Sequence, residues 1–178
     1  MADFDDVYLS LGSNLGDRLR HLRTALERIA QLATVTACSH VYETEPVEFT
    51  AQPSFLNAAI ALRVPSAQPP VALLRDLLSI EQELGRRREL VPTKGPRVID
   101  LDILFYGQRV VDTPELTVPH PALTTRRFVL EPLAEIAPEL EHPVLHRSVR
   151  QLLQGLPTEK QSVRRVGRLV DSAPRGSR

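Results

Sequence analysis

Hydrophobic positions along the chain follow the helical period in two segments. A stripe of leucine and isoleucine at three- and four-residue spacing predicts an amphipathic helix over 17–33, with Asp17 as its N-cap. A second stripe predicts a helix that begins at Pro69 and ends at Gly85. Both helices are expected to press one apolar face against a sheet.

Strand-like runs separate these helices. We expect strands at 6–11, 35–42, 55–64, in the central stretch between Gly95 and Gly107, and in a short return at 109–111. A last short helix is predicted at 148–156. The order strand-helix-strand, strand-helix-strand predicts an α+β, ferredoxin-like βαββαβ fold, with a mostly antiparallel sheet and helices packed on one face.

Residues 1–156 are predicted to form one domain, because 178 residues allow a single substantial core. From residue 157 onward the chain is polar and basic, and its scattered valines and Leu169 predict at most a weak helix. We therefore expect 157–178 to be a basic, flexible tail.

Charge and cysteine content exclude several classes of protein. Twenty-two basic and 22 acidic residues give no formal net charge, which disfavours nucleic acid and membrane surfaces as partners. No apolar run has the length of a membrane span, and the acidic N-terminus does not resemble a secretory signal. Cys38 is the single cysteine, so no disulfide framework is possible. We expect a cytoplasmic monomer that acts on small molecules.

Two carboxylates stand out in the central stretch. Side chains alternate along a strand, so Asp100 and Asp102 share one face, roughly 6–7 Å apart at Cα. Ile103 and Phe105 belong to the apolar set expected on the other face. Paired carboxylates repel each other unless a cation or proton lies between them, and hard oxygen ligands suit Mg²⁺. For the bare pattern, which is short and common, a solvated acidic strand face is the favoured interpretation, and the surrounding residues must decide.

Arginines precede the paired carboxylates. Arg86, Arg87 and Arg88 form a basic loop after the second helix, and Arg97 follows close to the strand. Together with a metal site they indicate a phosphorylated substrate, since the planar guanidinium matches phosphate oxygens. A basic loop is also often simply solvated, and Arg87 and Arg88 leave that interpretation open.

Five sequence blocks resemble one known family, the 6-hydroxymethyl-7,8-dihydropterin pyrophosphokinases, also called 2-amino-4-hydroxy-6-hydroxymethyldihydropteridine diphosphokinases. In chain order the blocks are YLSLGSNLG (8–16), FLNAA (55–59), GPRVIDLDIL (95–104), LTVPHP (116–121) and FVLEPLAEIAP (128–138). Each block alone is weak, whereas the ordered set is specific. Lys94 differs from the family, since many members carry Trp at this position.

The resemblance implies an activity and a set of site residues. The family transfers pyrophosphate from ATP to the pterin hydroxymethyl group in folate biosynthesis, using two Mg²⁺ ions, and releases AMP. Matching positions imply these roles: metal binding by Asp100 and Asp102; catalysis by Arg86 and Arg97; pterin binding by Thr44, Val47, Phe55, Asn57 and Phe128; and ATP binding by Glu81, Ile103, Thr117, His120 and Arg126. Without the family, the sequence favours a packed histidine at His120 and a core residue at Phe55.

Two other functions compete with this one. A ferredoxin-like module that senses a nucleotide or metabolite without catalysis would need neither the carboxylate pair nor the arginine loop. A different magnesium-dependent kinase on the same fold is compatible with Asp100 and Asp102, but the Phe55 and Asn57 context disfavours it.

Overall fold

A computed structural model describes residues 2–45, 51–90, 95–158 and 161–171. Its helices are α1 (Arg18–Leu32), α2 (Pro70–Glu83), α3 (Arg127–Ile136) and α4 (Val149–Gln154). Its strands are β1 (Phe4–Ser13), β2 (Thr34–Cys38), β3 (His40–Thr44), β4 (Phe55–Pro65), β5 (Asp100–Tyr106), β6 (Val111–Asp112), β7 (Thr117–Val118) and β8 (Val163–Arg168).

The main sheet has the strand order β5-β1-β4-β3-β8, and β2 pairs with β4 beside β3. Every pairing in it is antiparallel. The ferredoxin-like α+β fold is therefore confirmed. The single strand expected at 35–42 is divided at Ser39, whose hydroxyl accepts a hydrogen bond from the backbone N–H of Ala59 at 2.8 Å.

Helices α1 and α2 cover one face of the sheet, as the periodicity predicts. Asp17 caps α1 by accepting from the N–H of Arg20 at 3.2 Å. The buried stripes of both helices meet the sheet in one hydrophobic cluster. The members that α1 and α2 contribute are Leu22, Ala25, Ile29, Leu73, Leu77 and Ile80.

Helices α3 and α4 pack on the opposite face, where the sequence led us to expect none. Leu130 and Leu133 of α3 join Leu104 and Phe105 of β5 in a second hydrophobic cluster. Helix α3 has only 10 residues and contains Pro132, so its periodicity is too short to predict a helix. The sheet is thus covered by helices on both faces.

A register irregularity in β5 changes which side chains share a face. Leu9 pairs with Ile103 and Tyr8 pairs with Phe105, so Leu104 has no opposite residue in β1. Ile103 belongs to the α1–α2 cluster, but Phe105 belongs to the α3 cluster. The expectation that these two side chains share a face is wrong, because a strand bulge interrupts strict alternation.

Within the segment after residue 156, residues 163–168 form a strand of the sheet, in contrast to the flexible tail expected from the composition. Strand β8 pairs with β3, and Leu169 is only 1% exposed in the α1–α2 cluster. Arg23 on α1 donates to the carbonyl of Leu169 at 3.1 Å. Backbone pairing with the open edge of β3 stabilises a strand that few apolar residues would predict.

The short strand expected at 109–111 is shifted to Val111–Asp112, which is β6, and it is not part of the main sheet. Strand β6 pairs with β7 in a separate two-stranded ribbon. Among the described residues, the longest apolar helices fall short of the length and hydrophobicity that crossing a membrane requires.

Candidate active site

Three strands place the candidate residues in one row on the face covered by α3. Asp100 on β5 lies opposite Gly12 on β1, and Gly12 lies opposite Asn57 on β4. Directly paired residues of neighbouring strands point to the same face. A carboxylate and an amide therefore flank a strand position that has no side chain.

Gly12 keeps the space between them open. A Cβ at this position would lie 3.0 Å from Asn57 Oδ1 and 3.9 Å from the Phe55 ring. Gly12 lies within β1, one residue beyond the strand expected at 6–11. Glycine inside a strand is a known sign of a close approach, so this signal was present in the sequence.

Phe55 and Asn57 form one wall of the site. Asn57 Nδ2 donates to Thr44 Oγ1 at 2.8 Å, which fixes the orientation of the buried amide. The guanidinium carbon of Arg97 lies 5.8 Å from the centroid of the Phe55 ring. Val47 lies outside the described residues.

Asn14 connects the two loops that border this wall. Its side chain accepts from the N–H of Arg97 at 2.8 Å and donates to Gln52 Oε1 and Pro53 O at 2.9 and 3.1 Å. The backbone N–H of Asn14 also donates to the carbonyl of Arg97 at 3.1 Å. Asn14 therefore holds Arg97 in place beside Phe55.

Asp100 lies between two arginines. Arg86 Nη1 donates to its Oδ1 at 2.6 Å and Arg97 Nη1 donates to its Oδ2 at 2.9 Å. Burial alone would raise the pKa of Asp100, but the positive charges of Arg97 and Arg86 outweigh it and hold the pKa below its usual value. Asp100 is therefore ionised at neutral pH.

Asp102 has the opposite electrostatic environment. Burial, followed by the negative charges of Asp100 and Glu81, raises the pKa of Asp102 to about 7. Within the described part of the chain, its carboxylate receives no hydrogen bond. A cation at this point would remove the repulsion.

The donor set at Asp100 and Asp102 fits Mg²⁺. Magnesium commonly takes one or two protein carboxylates and completes its shell with water and phosphate oxygens. The described residues contain no cluster of three or more His, Cys, Asp or Glu side chains suited to a metal. A metal held here would therefore keep most of its positions for other oxygen ligands.

Glu81 holds the start of the arginine loop against the protein. It is 1% exposed, and Arg86 and Arg88 each contact both of its carboxylate oxygens at 2.7–2.9 Å. Burial raises the pKa of Glu81, and the charge of Arg86 partly opposes this. Arg87 and Arg88 are both exposed, but Arg88 is held by its contacts with Glu81, so the solvated position left open by the sequence fits Arg87 better than Arg88.

A cavity of about 330 Å³ opens beside this loop. Its lining includes Leu15, Gly85 and Val98 together with Arg86, Arg87, Arg88 and Arg97. Four guanidinium groups around one cavity suit a polyanion such as a chain of phosphates. The cavity adjoins Asp100 because Arg86 and Arg97 contact both.

His120 and Arg126 lie close enough to the carboxylates for their charges to interact. His120 Nδ1 accepts from the N–H of Ala122 at 3.1 Å, and burial followed by the charge of Arg126 lowers the pKa of His120. The guanidinium carbon of Arg126 lies 5.7 Å from the centroid of the Phe128 ring. The imidazole is therefore neutral at pH 7, with its Nδ1 oriented by the turn.

Two residues expected to contact ATP are placed differently. The side chain of Ile103 is 3% exposed in the α1–α2 cluster, on the face opposite Asp102, so only its main chain is left to face a ligand. Thr117 is an exposed residue of β7 in the ribbon that borders β5. Their resemblance-based roles therefore have less geometric support than those of His120 and Arg126.

Comparisons with known proteins agree with the sequence blocks. Residues 8–138 match the family model described as 7,8-dihydro-6-hydroxymethylpterin-pyrophosphokinase. A 2-amino-4-hydroxy-6-hydroxymethyldihydropteridine pyrophosphokinase of Bacillus subtilis is 46% identical over 137 residues, covering 76% of this chain and 80% of that protein.

Longer relatives match over only part of their length. A folic acid synthesis protein of Schizosaccharomyces pombe is 42% identical over 155 residues, covering 86% of this chain and 21% of that protein. The chain spans between 20% and 22% of the length of the three curated folic acid synthesis proteins of this kind. A solved structure of Plasmodium falciparum HPPK-DHPS with pterin and p-hydroxybenzoate has a TM-score of 0.67 at 17% identity, covering 86% of this chain and 43% of that chain. At this identity the likeness bears on the fold alone.

Proposed function

The chain belongs to the 7,8-dihydro-6-hydroxymethylpterin-pyrophosphokinase family, and on this basis we propose that it transfers pyrophosphate from ATP to 6-hydroxymethyl-7,8-dihydropterin in folate biosynthesis. The observation that carries the proposal is the row Asp100–Gly12–Asn57. It brings a carboxylate held by two arginines next to a slot lined by an aromatic ring and a fixed amide. A phosphorylated co-substrate and a flat heterocycle suit these two halves.

The pterin is proposed to lie over Gly12. Phe55 and Phe128 offer aromatic faces for the bicyclic ring, and Asn57 offers a donor and an acceptor for its edge. The bond from Asn57 to Thr44 supports this role, because it orients the amide before a ligand arrives. Val47 belongs to the same proposed set by resemblance.

ATP is proposed to lie between the arginine loop and α3. The hydroxymethyl oxygen attacks the β-phosphorus and its proton passes to water, while the bond from the β-phosphorus to the α–β bridging oxygen breaks and AMP leaves with that oxygen. Bound Mg²⁺, proposed as two ions, would neutralise charge on the reacting oxygens. Asp100 and Asp102 would hold the metal, while Arg86 and Arg97 are proposed to neutralise charge on the transferred group. Phosphoryl transfer requires of the protein mainly that it position the reactants and neutralise their charge.

Glu81, Ile103, Thr117, His120 and Arg126 complete the proposed nucleotide side. Arg126 and the neutral His120 have the firmest support, because both lie near the carboxylates and one is cationic. We also propose that the protein acts as a monomer in the cytoplasm, with small molecules as its partners. The free thiol of Cys38 is compatible with a reducing compartment.

The deciding experiment is incubation with ATP, Mg²⁺ and 6-hydroxymethyl-7,8-dihydropterin. We expect AMP to be released in proportion to the pterin consumed. ADP with a monophosphorylated pterin would indicate a different kinase. Binding of both ligands without turnover would indicate the sensing module.

A further inference from the structure

The first turn of α3 is capped by a residue from the far end of the chain. Gln161 Oε1 accepts a hydrogen bond from the N–H of Arg127 at 2.7 Å, and its Nε2 donates to the carbonyl of Thr125 at 3.0 Å. One side-chain amide thus grips the backbone on both sides of Arg126. Arg127 and Thr125 precede Gln161 by 34 and 36 positions in the sequence.

Helix α3 has no cap of its own at this end. Arg126 occupies the N-cap position with an extended backbone and makes no side-chain capping bond. The first N–H groups of a helix lack intrahelical partners, and a side-chain oxygen that satisfies one of them stabilises the helix start. Gln161 supplies that oxygen.

The capped turn carries two residues of the proposed site. Arg126 precedes Arg127, and Phe128 follows it, with the guanidinium of Arg126 packed over the Phe128 ring. Any shift of the backbone at Thr125 or Arg127 moves this pair relative to the carboxylates on β5. A small displacement of groups in a catalytic site lowers the reaction rate strongly, even when the substitution that causes it lies outside the site.

Gln161 is itself held from both directions. Arg127 Nη2 donates to the carbonyl of Leu156 at 3.1 Å, where the connection from α4 begins. On the other side, β8 starts at Val163, which pairs with Thr44 on β3. Gln161 therefore contacts α3 and lies two residues before the position of β8 that pairs with Thr44.

We propose that Gln161 is a positioning residue, which sets Arg126 and Phe128 for the nucleotide and the pterin. The inference rests on the proposed function and deepens it, since it assigns a task to the C-terminal segment. This role requires no contact between Gln161 and a substrate. Its effect passes through the backbone of Thr125 and Arg127.

The test compares Gln161→Leu with Gln154→Leu in the full chain. Both replace a glutamine amide by an alkyl side chain, but Gln154 is an exposed residue of α4. For Gln161→Leu we expect kcat/KM to fall on the order of 10-fold to 10²-fold relative to Gln154→Leu. Gln161→Glu keeps the acceptor for the Arg127 N–H and loses the donor to Thr125, so it should lie between wild type and Gln161→Leu.

Binding measured well below the melting temperature distinguishes a positioning role of Gln161 from a purely stabilising one. Positioning predicts weaker binding of both the pterin and a non-hydrolysable ATP analogue with Mg²⁺. A loss of melting temperature with unchanged affinities and unchanged kcat/KM would overturn the proposal. If wild type releases no AMP, the proposed function fails instead. The affinities then decide the positioning role alone, and equal values for Gln161→Leu and Gln154→Leu overturn it.

Discussion

Asp100 and Asp102 face the same side of β5, yet the protein moves their pKa values in opposite directions. Arg86 and Arg97 contact Asp100 and keep it ionised, whereas burial and the neighbouring charge of Asp100 raise the pKa of Asp102 to about 7. Asp100 is thus ionised at neutral pH, whereas Asp102 keeps its proton up to about pH 7 and would release it when a cation binds. Substitution of Asp100 and of Asp102 should therefore change the stability of the metal-free protein in opposite directions.

Asp100→Asn and Asp102→Asn should each lower turnover on the order of 10²-fold or more, as the loss of one well-placed electrostatic contact does. The measurement is AMP release at saturating ATP across a series of Mg²⁺ concentrations. Asp112→Asn makes the same change at an exposed strand position and should leave turnover unaltered. Wild-type turnover in either site variant would mean that the pair is only an acidic strand face.

Metal-free stability should depend on pH through Asp102. In the unfolded chain this carboxyl loses its proton near its ordinary pKa of 3.8, whereas in the folded protein it keeps the proton up to about pH 7. The folded state binds the extra proton between these values, so this group destabilises the fold increasingly as pH rises to 7. Asp102→Asn removes that effect.

We therefore expect Asp102→Asn, in EDTA, to melt above wild type at pH 8, by a margin that shrinks toward pH 5. Asp100→Asn should melt below wild type at pH 8, because it loses its contacts with Arg86 and Arg97 as ion pairs. Identical pH profiles for the two variants would contradict the opposite environments.

Arg86→Ala should lower kcat far more than it weakens pterin binding, since an interaction made mainly in the transition state affects the rate. It should also lower the melting temperature, because Arg86 is buried between Glu81 and Asp100. Arg87→Ala, at the next and exposed position, should keep the melting temperature of wild type. Equal losses of pterin affinity and of rate in Arg86→Ala would argue against a transition-state role.

Local patterns in the sequence were enough to predict the ferredoxin-like sheet and its first two helices. The leucine stripe of α1 and the alternation through Asp100 and Asp102 each depend on neighbours within a few positions. The row across the sheet does not follow from these local patterns, because the register that pairs Gly12 with Asp100 joins two strands far apart in sequence.

Structural features that depend on residues far apart in sequence are not marked by a local sequence pattern. Strand β8 forms because the edge of β3 is open, and its residues are mostly exposed. The cap from Gln161 joins positions 34 residues apart, and glutamine has no spacing that marks it. The bulge beside Leu104 depends on the partner strand as well. Each of these is decided by tertiary contacts rather than by local preference.

Leu169→Ala should lower stability by about 2–5 kcal/mol, as the truncation of a buried leucine does. Leu169 is 1% exposed, whereas its neighbour Val170 is 52% exposed. Val170→Ala should therefore change stability by about 0.5 kcal/mol or less. Urea unfolding of both variants measures the difference, and equal midpoints would show that the segment after residue 156 does not dock in solution.

Gly12→Ala tests whether the open strand position is the floor of the pterin slot. The added Cβ would meet Asn57 Oδ1 at 3.0 Å, so the amide must move or the methyl group must occupy the space above the strand. Overpacking of this kind typically costs about 1–3 kcal/mol, and about 1.4 kcal/mol corresponds to a tenfold change in affinity. We expect pterin affinity to fall on the order of tenfold or more, with little change for the ATP analogue measured without pterin.

Gly167→Ala is the matched control, because Gly167 is also a strand glycine and a Cβ there would meet nothing within 4 Å. Calorimetric titration of both variants with pterin gives the comparison, and equal pterin affinities would place the ring away from Gly12.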